Sequence, residues 1–165
     1  ERLVQNYRSS FLQIAIELIS DETNYKQANE VLSLMELYFP VDVIHINHPD
    51  VEIQIGSFFA ELGNMELFHK YMFHASKRKD LSLQQEYFIG QLLLENSKNM
   101  EYTIKHFHKM HMKNPDIFEI TLGLCQAYFK HGQNDMAIKI INDWLISHPN
   151  HEEAKEWLKL IENQI

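Results

Sequence analysis

The sequence predicts an all-α fold, an α-solenoid of four helix–turn–helix repeats followed by a C-terminal capping helix. Three observations predict this architecture. The 165 residues include only five glycines and four prolines, too few for the many tight turns of a β-sandwich or barrel. Apolar residues recur at the three- and four-residue spacing of amphipathic helices. A helix–turn–helix pattern also recurs along the chain, with the period of about 34 residues that is typical of one class of α-solenoid.

The predicted domain covers residues 1–165 and contains one repeat pattern four times. The hairpins share one core because each is too small to bury its apolar face alone. The longest predicted loop, Val41–Pro49, separates the first two repeats. The repeats lie at about 3–40, 50–79, 81–114 and 116–149, and the capping helix at 151–163. The expected helices lie near 3–20, 25–39, 50–62, 65–77, 81–95, 100–113, 116–131, 134–147 and 151–163.

The final repeat, from Asp116 to Pro149, carries the clearest signals. Gly132 suits the left-handed residue that ends a helix, and Pro149 cannot continue the second helix. Pro115 stands one period before Pro149, and Gly63 stands close to two periods before Gly132. The first helix has an apolar stripe at helical spacing, formed by Ile117, Ile120, Leu124, Ala127 and Tyr128.

The segment 151–163 is predicted to form a ninth helix with one apolar face and one charged face. A terminal helix with a polar outer face is what a stacked array needs to seal its open end. We therefore expect this helix to cap the fourth repeat. Its apolar side consists of Ala154, Trp157, Leu158 and Ile161.

Five residues of the final repeat occupy the signature positions of a helical-repeat family. They are Leu124, Tyr128, Gly132, Ala137 and Pro149. On these residues the unit resembles a tetratricopeptide repeat (TPR), with departures at Thr121, Cys125 and Trp144. The other repeats match less fully, since Phe68 replaces a small residue and 81–114 lacks the turn glycine. The resemblance implies four TPR-like repeats.

A second resemblance covers residues 6–40. Its residues are Asn6, Tyr7, Arg8, Phe11, Ala15, Leu18, Ile19, Ala28, Val31, Leu32, Met35, Phe39 and Pro40. The segment is similar to the C-terminal soluble region of bacterial multi-pass membrane proteins that look like protein O-mannosyltransferases. This likeness implies a location on the extracytoplasmic side of the inner membrane; without it we expect a cytoplasmic protein. The chain begins with Glu1 and shows no signal peptide, so we expect a segment of a longer protein.

The charge balance disfavours nucleic acid and anionic membranes as partners. The chain has 15 basic and 23 acidic residues and a net charge of −8, whereas both surfaces attract cationic proteins. No apolar run approaches the ~20 residues of a membrane-spanning helix, so we expect no direct membrane insertion. The basic run Lys77–Lys79 is predicted to complement the dipole at a helix end. We therefore expect a protein or peptide segment as partner.

Three histidines on one predicted helix, His106, His108 and His111, suggest a metal site. Zinc requires a further ligand at suitable spacing, and the sequence offers none, so we expect no metal. We also expect no other cofactor. Instead, His111 is predicted to pack near Phe107 and Met110, while His106 and His108 face solvent.

Catalytic motifs are absent from the sequence. It has no nucleophilic serine motif, no phosphate-binding glycine loop and no dinucleotide fingerprint. Cys125 lies in the middle of a predicted helix, where a small thiol allows close helix packing and stays inert. We therefore expect no catalytic residues and no enzyme activity in this segment.

The first helices of stacked repeats line a concave face, and residues not needed for packing point into it. Phe88 and Phe129 are unusual members of this set, because a solvated face would not select phenylalanine. They either anchor an apolar side chain of a partner or bury against adjacent repeats or the capping helix. The candidate partner-binding residues are Gln13, Glu17, Ser57, Glu61, Gln85, Phe88, Glu95, Asn96, Glu119, Gln126, Phe129 and Lys130.

The leading functional prediction is a non-catalytic scaffold that holds a protein or peptide segment on its concave face. The alternative is an accessory extracytoplasmic domain of a membrane-bound glycosyltransferase-like protein, whose catalytic part lies outside this segment. Self-association is a third option, because an open solenoid end can stack on a copy of itself.

Overall fold

The computed structural model describes residues 2–164, and this part of the chain contains nine α-helices and no strand. The predicted all-α class is confirmed, and each helix end lies within two residues of its predicted position. Within the described chain, no helix has both the length and the apolar character that crossing a bilayer demands. The helices are α1 (Arg2–Ile19), α2 (Tyr25–Tyr38), α3 (Pro49–Glu61), α4 (Met65–Ala75), α5 (Leu83–Asn96), α6 (Met100–Lys113), α7 (Phe118–Lys130), α8 (Asn134–Ser147) and α9 (Glu152–Glu162).

The chain divides into two compact units, Glu1–Gln85 and Glu86–Ile165. In the first unit α1 packs against α2, and α3 packs against α4. Buried alanines on three of these helices, Ala15, Ala28 and Ala75, leave room for close helix approach. The larger buried apolar side chains of this unit include Leu32, Met35, Ile53, Ile55, Phe59, Phe68, Tyr71 and Met72.

Arg8 of α1 forms hydrogen bonds to the segment that joins α2 to α3. Arg8 is only 2% exposed. Its guanidinium donates hydrogen bonds to the carbonyl oxygens of Phe39 at 2.8 Å, Ile44 at 2.6 Å and His45 at 3.1 Å. Backbone carbonyls in an irregular segment need partners when they lack water, and here a single charged side chain supplies several of them.

A buried carboxylate, Glu36, anchors the same segment from α2. It accepts hydrogen bonds from the Tyr71 hydroxyl at 2.7 Å and from the backbone N–H of Val41 at 3.3 Å. Lys70 forms ion pairs with Glu36 at 2.7 Å and with Asp42 at 2.9 Å. Burial, together with the bond to Glu36, raises the pKa of Tyr71 far above its ordinary value. The phenol therefore remains a donor throughout the physiological pH range.

The basic run Lys77–Lys79 does more than complement a helix dipole. Arg78 reaches Glu52 of α3 at 3.0 Å and the carbonyl oxygen of Ile46 at 2.6 Å. Glu52 is 0% exposed and also contacts His74. A buried carboxylate without a partner is costly, and Arg78 supplies that partner to Glu52.

In the second unit α6 packs against α7, α7 against α8, and α8 against α9. The buried ring of Phe107 on α6 lies against Gly90 of α5 and Gly123 of α7. A Cβ at either glycine would lie within 2.6 Å of a ring atom. The absence of a side chain at both positions therefore makes room for the ring. The core of this unit includes Leu94, Met100, Met110, Ile120, Leu124, Cys125, Tyr128, Ala137, Ile141, Ala154 and Ile161.

Two helices, α3 and α7, end in the same glycine motif. Gly63 after α3 has φ +73°, and Gly132 after α7 has φ +77°, a conformation in which a side chain would be strained. In each case the residue after the glycine donates to the carbonyl oxygen four positions before the glycine, at 2.8 Å and 2.9 Å. This bond is the mark of a Schellman cap. The predicted left-handed residue at Gly132 is therefore confirmed.

Three helices end alike in front of a proline. The final residues before Pro40, Pro115 and Pro149 have φ near −130° to −140° and ψ of 63°, 62° and 65°. The N–H of each bonds the carbonyl oxygen four residues earlier, at 2.8, 3.0 and 3.0 Å. A residue that precedes proline avoids the helical region, so the three prolines set three equivalent helix ends. The three residues are Phe39, Asn114 and His148.

Candidate functional site

The candidate residues of the first unit lie on separate helices and make local contacts. Gln13 and Glu17 are exposed on α1, and Ser57 is half-buried on α3. Glu61 accepts a hydrogen bond from Tyr25 at 2.9 Å. The amide of Gln85 donates to Asp50 at 2.7 Å. Thus two of the five candidates here, Glu61 and Gln85, already have partners within their own unit.

Four candidates of the second unit line one depression. They are Glu95 on α5 and Gln126, Phe129 and Lys130 on α7. The depression has a volume of about 370 Å³, and we call it the α5–α7–α9 depression. Its remaining lining residues are Gln91, Leu94, Trp157 and Leu160.

One hydrogen bond and the packing of α9 on the core position the lining of this depression. The Lys130 ammonium donates to the carbonyl oxygen of Leu94 at 2.9 Å, which ties the end of α7 to the end of α5. Ala154 and Ile161 bury one side of α9 in the core. Trp157 and Phe129 are half-buried and pack against the same core. The apolar floor is therefore backed by packed helices.

The two phenylalanines singled out in the sequence have different environments. Phe88 is 50% exposed on α5. Phe129 packs against the core and also lines the depression, so its packing and its access to a partner are compatible. Asn96 donates to the Leu92 carbonyl at 2.9 Å, and Glu119 is exposed on α7.

Acidic groups act on Tyr87, one helical turn before Gln91 of the lining. Tyr87 on α5 has a raised pKa, chiefly because of burial, and the charges of Glu119 and Glu153 raise it further. Both carboxylates therefore act on the same part of the α5 surface. Glu95 adds a third acidic group, against the single ammonium of Lys130 within the lining.

The contribution of α9 to this site is absent from the sequence predictions. Trp157 is predicted only as part of the apolar face of a capping helix, and Leu160 is not among the predicted partner-binding residues. Leu160 and Trp157 follow Gln126 and Gly123, respectively, by 34 residues, which is the predicted repeat period. Gln126 also lines the depression, whereas Gly123 is buried, so this spacing agrees with the place of Leu160 and not with that of Trp157.

The histidines of α6 have separate partners. His106 is buried, and its Nε2 donates to the carbonyl oxygen of Glu86 at 2.7 Å. The expectation that it faces solvent is wrong, because it shares the inward face of α6 with Phe107. His111 lies 3.2 Å from the Thr121 hydroxyl, and His108 is exposed. Among residues 2–164, no group of His, Cys, Asp and Glu side chains is arranged to hold a metal ion.

Cys125 is fully buried on α7, as expected. Its Sγ lies 3.7 Å from the carbonyl oxygen of Ala137 on α8. Burial raises the pKa of this thiol to about 12. Because the thiolate is the reactive form of cysteine, the thiol is protonated near neutral pH, and its position serves close packing of α7 against α8.

The α5–α7–α9 depression combines an apolar floor with amide and charged groups. Such a lining can bury an apolar side chain while amides bond the neighbouring backbone. Comparisons of the chain with protein-family models, with curated proteins and with solved structures give no match.

Proposed function

We propose that this chain is a non-catalytic scaffold of TPR-like repeats, stacked as an α-solenoid, that binds a protein or peptide segment. The binding site of the proposal is the α5–α7–α9 depression. One observation carries it: Glu95, Gln126, Phe129 and Lys130, selected as positions that repeat packing does not need, line the same depression. These four side chains surround the depression together with Trp157.

The repeated helix ends support the repeat part of the proposal. The glycine caps after α3 and α7 share one hydrogen-bond pattern, and Gly63 and Gly132 lie close to two periods apart. The pre-proline ends at Asn114 and His148 share their backbone angles and lie one period apart. These shared helix ends support a repeated helix–turn–helix unit.

The lining indicates the chemistry of the bound segment. The aromatic and aliphatic side chains of Phe129, Trp157 and Leu160 would surround an apolar side chain of the segment. The amides of Gln91 and Gln126 would bond its backbone, which is polar in any sequence. A volume of about 370 Å³ is at the lower end of the ~300–1,000 Å³ of typical ligand sites, so the proposed contact is with a short segment.

Selection from a random peptide library displayed on phage tests this proposal. We expect enriched peptides that share an apolar residue and bind the purified protein. The variant Leu160→Asp places a charge in the apolar lining, at a side chain that is 41% exposed. It should weaken binding by at least about tenfold, or about 1.4 kcal/mol, without loss of helical content.

Ile146→Asp is the matched control. Ile146 is 80% exposed on α8 and is not part of the depression. The same chemical change there should leave peptide affinity at the wild-type value. If no peptide is enriched, or if the two variants weaken binding equally, the depression is not the binding site.

A further inference from the structure

A second surface of the same unit, on α6, is basic although the chain as a whole is acidic. It is a groove of about 560 Å³ between α6 and Tyr128 of α7. We call it the α6 groove. Its α6 lining consists of Ile104, Lys105, His108, Lys109, Met112 and Lys113.

The α6 lining forms two adjacent rows. One row is Lys105, Lys109 and Lys113, and the neighbouring row includes Ile104 and Met112. Residues four apart lie one above the other on a helix, so each row runs about 12 Å along α6. Met112 is 73% exposed, so its side chain is accessible beside the lysine row.

The lysines are largely free to meet an external charge. All three are exposed, and Lys113 lies 3.7 Å from Glu86, which neutralises one end of the row. The chain carries a net charge of −8, so the positive charge of the three lysines beside this groove is opposite in sign to that of the whole chain. Charge complementarity at a surface steers a partner of opposite charge and sets its register.

We propose that the α6 groove binds an acidic amphipathic helix of a partner protein. Carboxylates at four-residue spacing on that helix would pair with the lysine row. Its adjacent apolar row would cover Ile104 and Met112, next to the mostly buried Tyr128. Methionine adapts its shape to an apolar partner at low cost, which suits a groove that receives a helix.

The groove favours a peptide over an anionic membrane. A membrane surface is flat and attracts several cations at once, each lysine contributing about 1 kcal/mol. Here one cation of three is paired, and the remaining protein is acidic. An apolar row beside the lysine row instead matches an amphipathic helix with an acidic row. This inference concerns α6 and does not depend on the α5–α7–α9 depression.

Fluorescence anisotropy with a labelled synthetic peptide tests the proposal. The probe is a helical peptide with a leucine row beside a glutamate row, each at four-residue spacing. We expect saturable binding that weakens as salt is raised. The double variant Lys105→Glu/Lys109→Glu should reduce the affinity at least about tenfold. A second peptide, with lysine in place of glutamate, should then bind this double variant better than the wild type, which also shows that the variant is folded.

Lys26→Glu/Lys139→Glu is the matched control, since both lysines are exposed on other helices. It should bind the glutamate peptide as the wild type does. The proposal is overturned if the glutamate peptide does not bind, or if the control weakens binding as much as the α6 double variant. It is also overturned if phosphatidylserine vesicles retain the wild type while the peptide does not.

Discussion

Gly123 of α7 faces the ring of Phe107 so closely that a Cβ at this glycine would lie 2.3 Å from the ring carbon Cε1. The backbone of α5 lies close to the opposite side of the ring, since a Cβ at Gly90 would lie 2.6 Å from the ring carbon Cζ. The ring therefore cannot move away from α7 toward α5. Phe107 is fully buried, so the ring cannot move toward solvent either. Two glycines on two helices therefore define the place of one side chain in the core of the second unit.

Gly123→Ala should destabilise the second unit. Overpacking a core costs about 1–3 kcal/mol, and the confined ring places this site in the upper half of that range. The gain of about 1 kcal/mol from alanine in a helix does not offset it, so we expect a net loss of about 1–2 kcal/mol. Urea unfolding measures the change.

Phe107→Leu provides the control for that substitution. Leucine lacks the Cε1 and Cζ atoms that meet the new Cβ, so Gly123→Ala should cost less in the Phe107→Leu background. If Gly123→Ala instead stabilises the wild-type background by the helical gain alone, the close packing around Phe107 is not as described.

Arg8→Met should loosen the segment between α2 and α3. Hydrogen bonds from a charged donor contribute about 1.5–3 kcal/mol each, and Arg8 supplies them to three carbonyl oxygens. We expect a loss of at least about 2 kcal/mol in urea unfolding, since such terms are not additive. Amide exchange at Val43 and Ile44, whose N–H groups bond Pro40, should accelerate.

Lys26→Met gives the comparison for Arg8→Met. Lys26 is exposed on α2, and a surface substitution of this kind changes stability by no more than about 0.5 kcal/mol. Equal stabilities for the two variants would show that Arg8 does not hold the segment.

The thiol of Cys125 should be unreactive in the folded protein. Its pKa is about 12, whereas an ordinary thiol titrates near 8.5, so little thiolate exists at about pH 8. Ellman's reagent should give no signal with native protein and one thiol per chain, the single cysteine, after unfolding in guanidinium chloride. Rapid reaction of the native protein would contradict the burial of this side chain.

Burial of His106 should make the second unit less stable in mild acid. Burial lowers the pKa of His106 from its ordinary value of 6.5, so the unfolded chain takes up a proton more readily than the folded one. Because the unfolded state binds more protons in acid, the contribution of His106 to the free energy of unfolding is complete above about pH 6.5 and decreases as the pH falls below that value. Urea unfolding of the wild type and of His106→Gln, at pH values above and below 6.5, measures this difference.

The pH dependence should be shallower in His106→Gln than in the wild type. It does not vanish, because burial also lowers the pKa values of His69 and His111. His108→Gln is the matched control, since His108 is exposed on the same helix. An unchanged slope in His106→Gln would show that His106 is not protected from protonation.

Local signals in the sequence were sufficient for the helices and their ends. Gly132 could be placed in a left-handed turn because glycine alone adopts that conformation without strain. Pro149 could be placed after a helix because proline restricts the residue before it. Both inferences use one residue and its immediate neighbours, which is why they hold without knowledge of tertiary contacts.

Buried polar side chains could not be placed from the sequence. Arg8 binds carbonyl oxygens 31 to 37 residues away, and Glu52 pairs with Arg78, 26 residues away. His106 is buried because a carbonyl of α5 faces it. In each case a distant partner offsets the cost of removing a polar group from water, and no local pattern reveals that partner.

The candidate site was predictable in part. Gln126 and Phe129 lie outside the apolar stripe of one predicted helix, so periodicity identifies them. Leu160 lies on α9, which the sequence predicts only as a cap, so no pattern of the first helices selects it. Its place in the depression depends on how α9 packs on the core, which is a tertiary contact.

The two tryptophans, Trp144 and Trp157, give the most direct test of the proposed binding site. Trp157 lines the α5–α7–α9 depression, whereas Trp144 is buried elsewhere in the second unit. In ¹H–¹⁵N spectra assigned with Trp144→Phe and Trp157→Phe, titration with an enriched peptide should shift the Trp157 indole signal saturably. The Trp144 signal should stay in place. A bound peptide that leaves the Trp157 signal unmoved would contradict the proposal that this depression holds the partner segment.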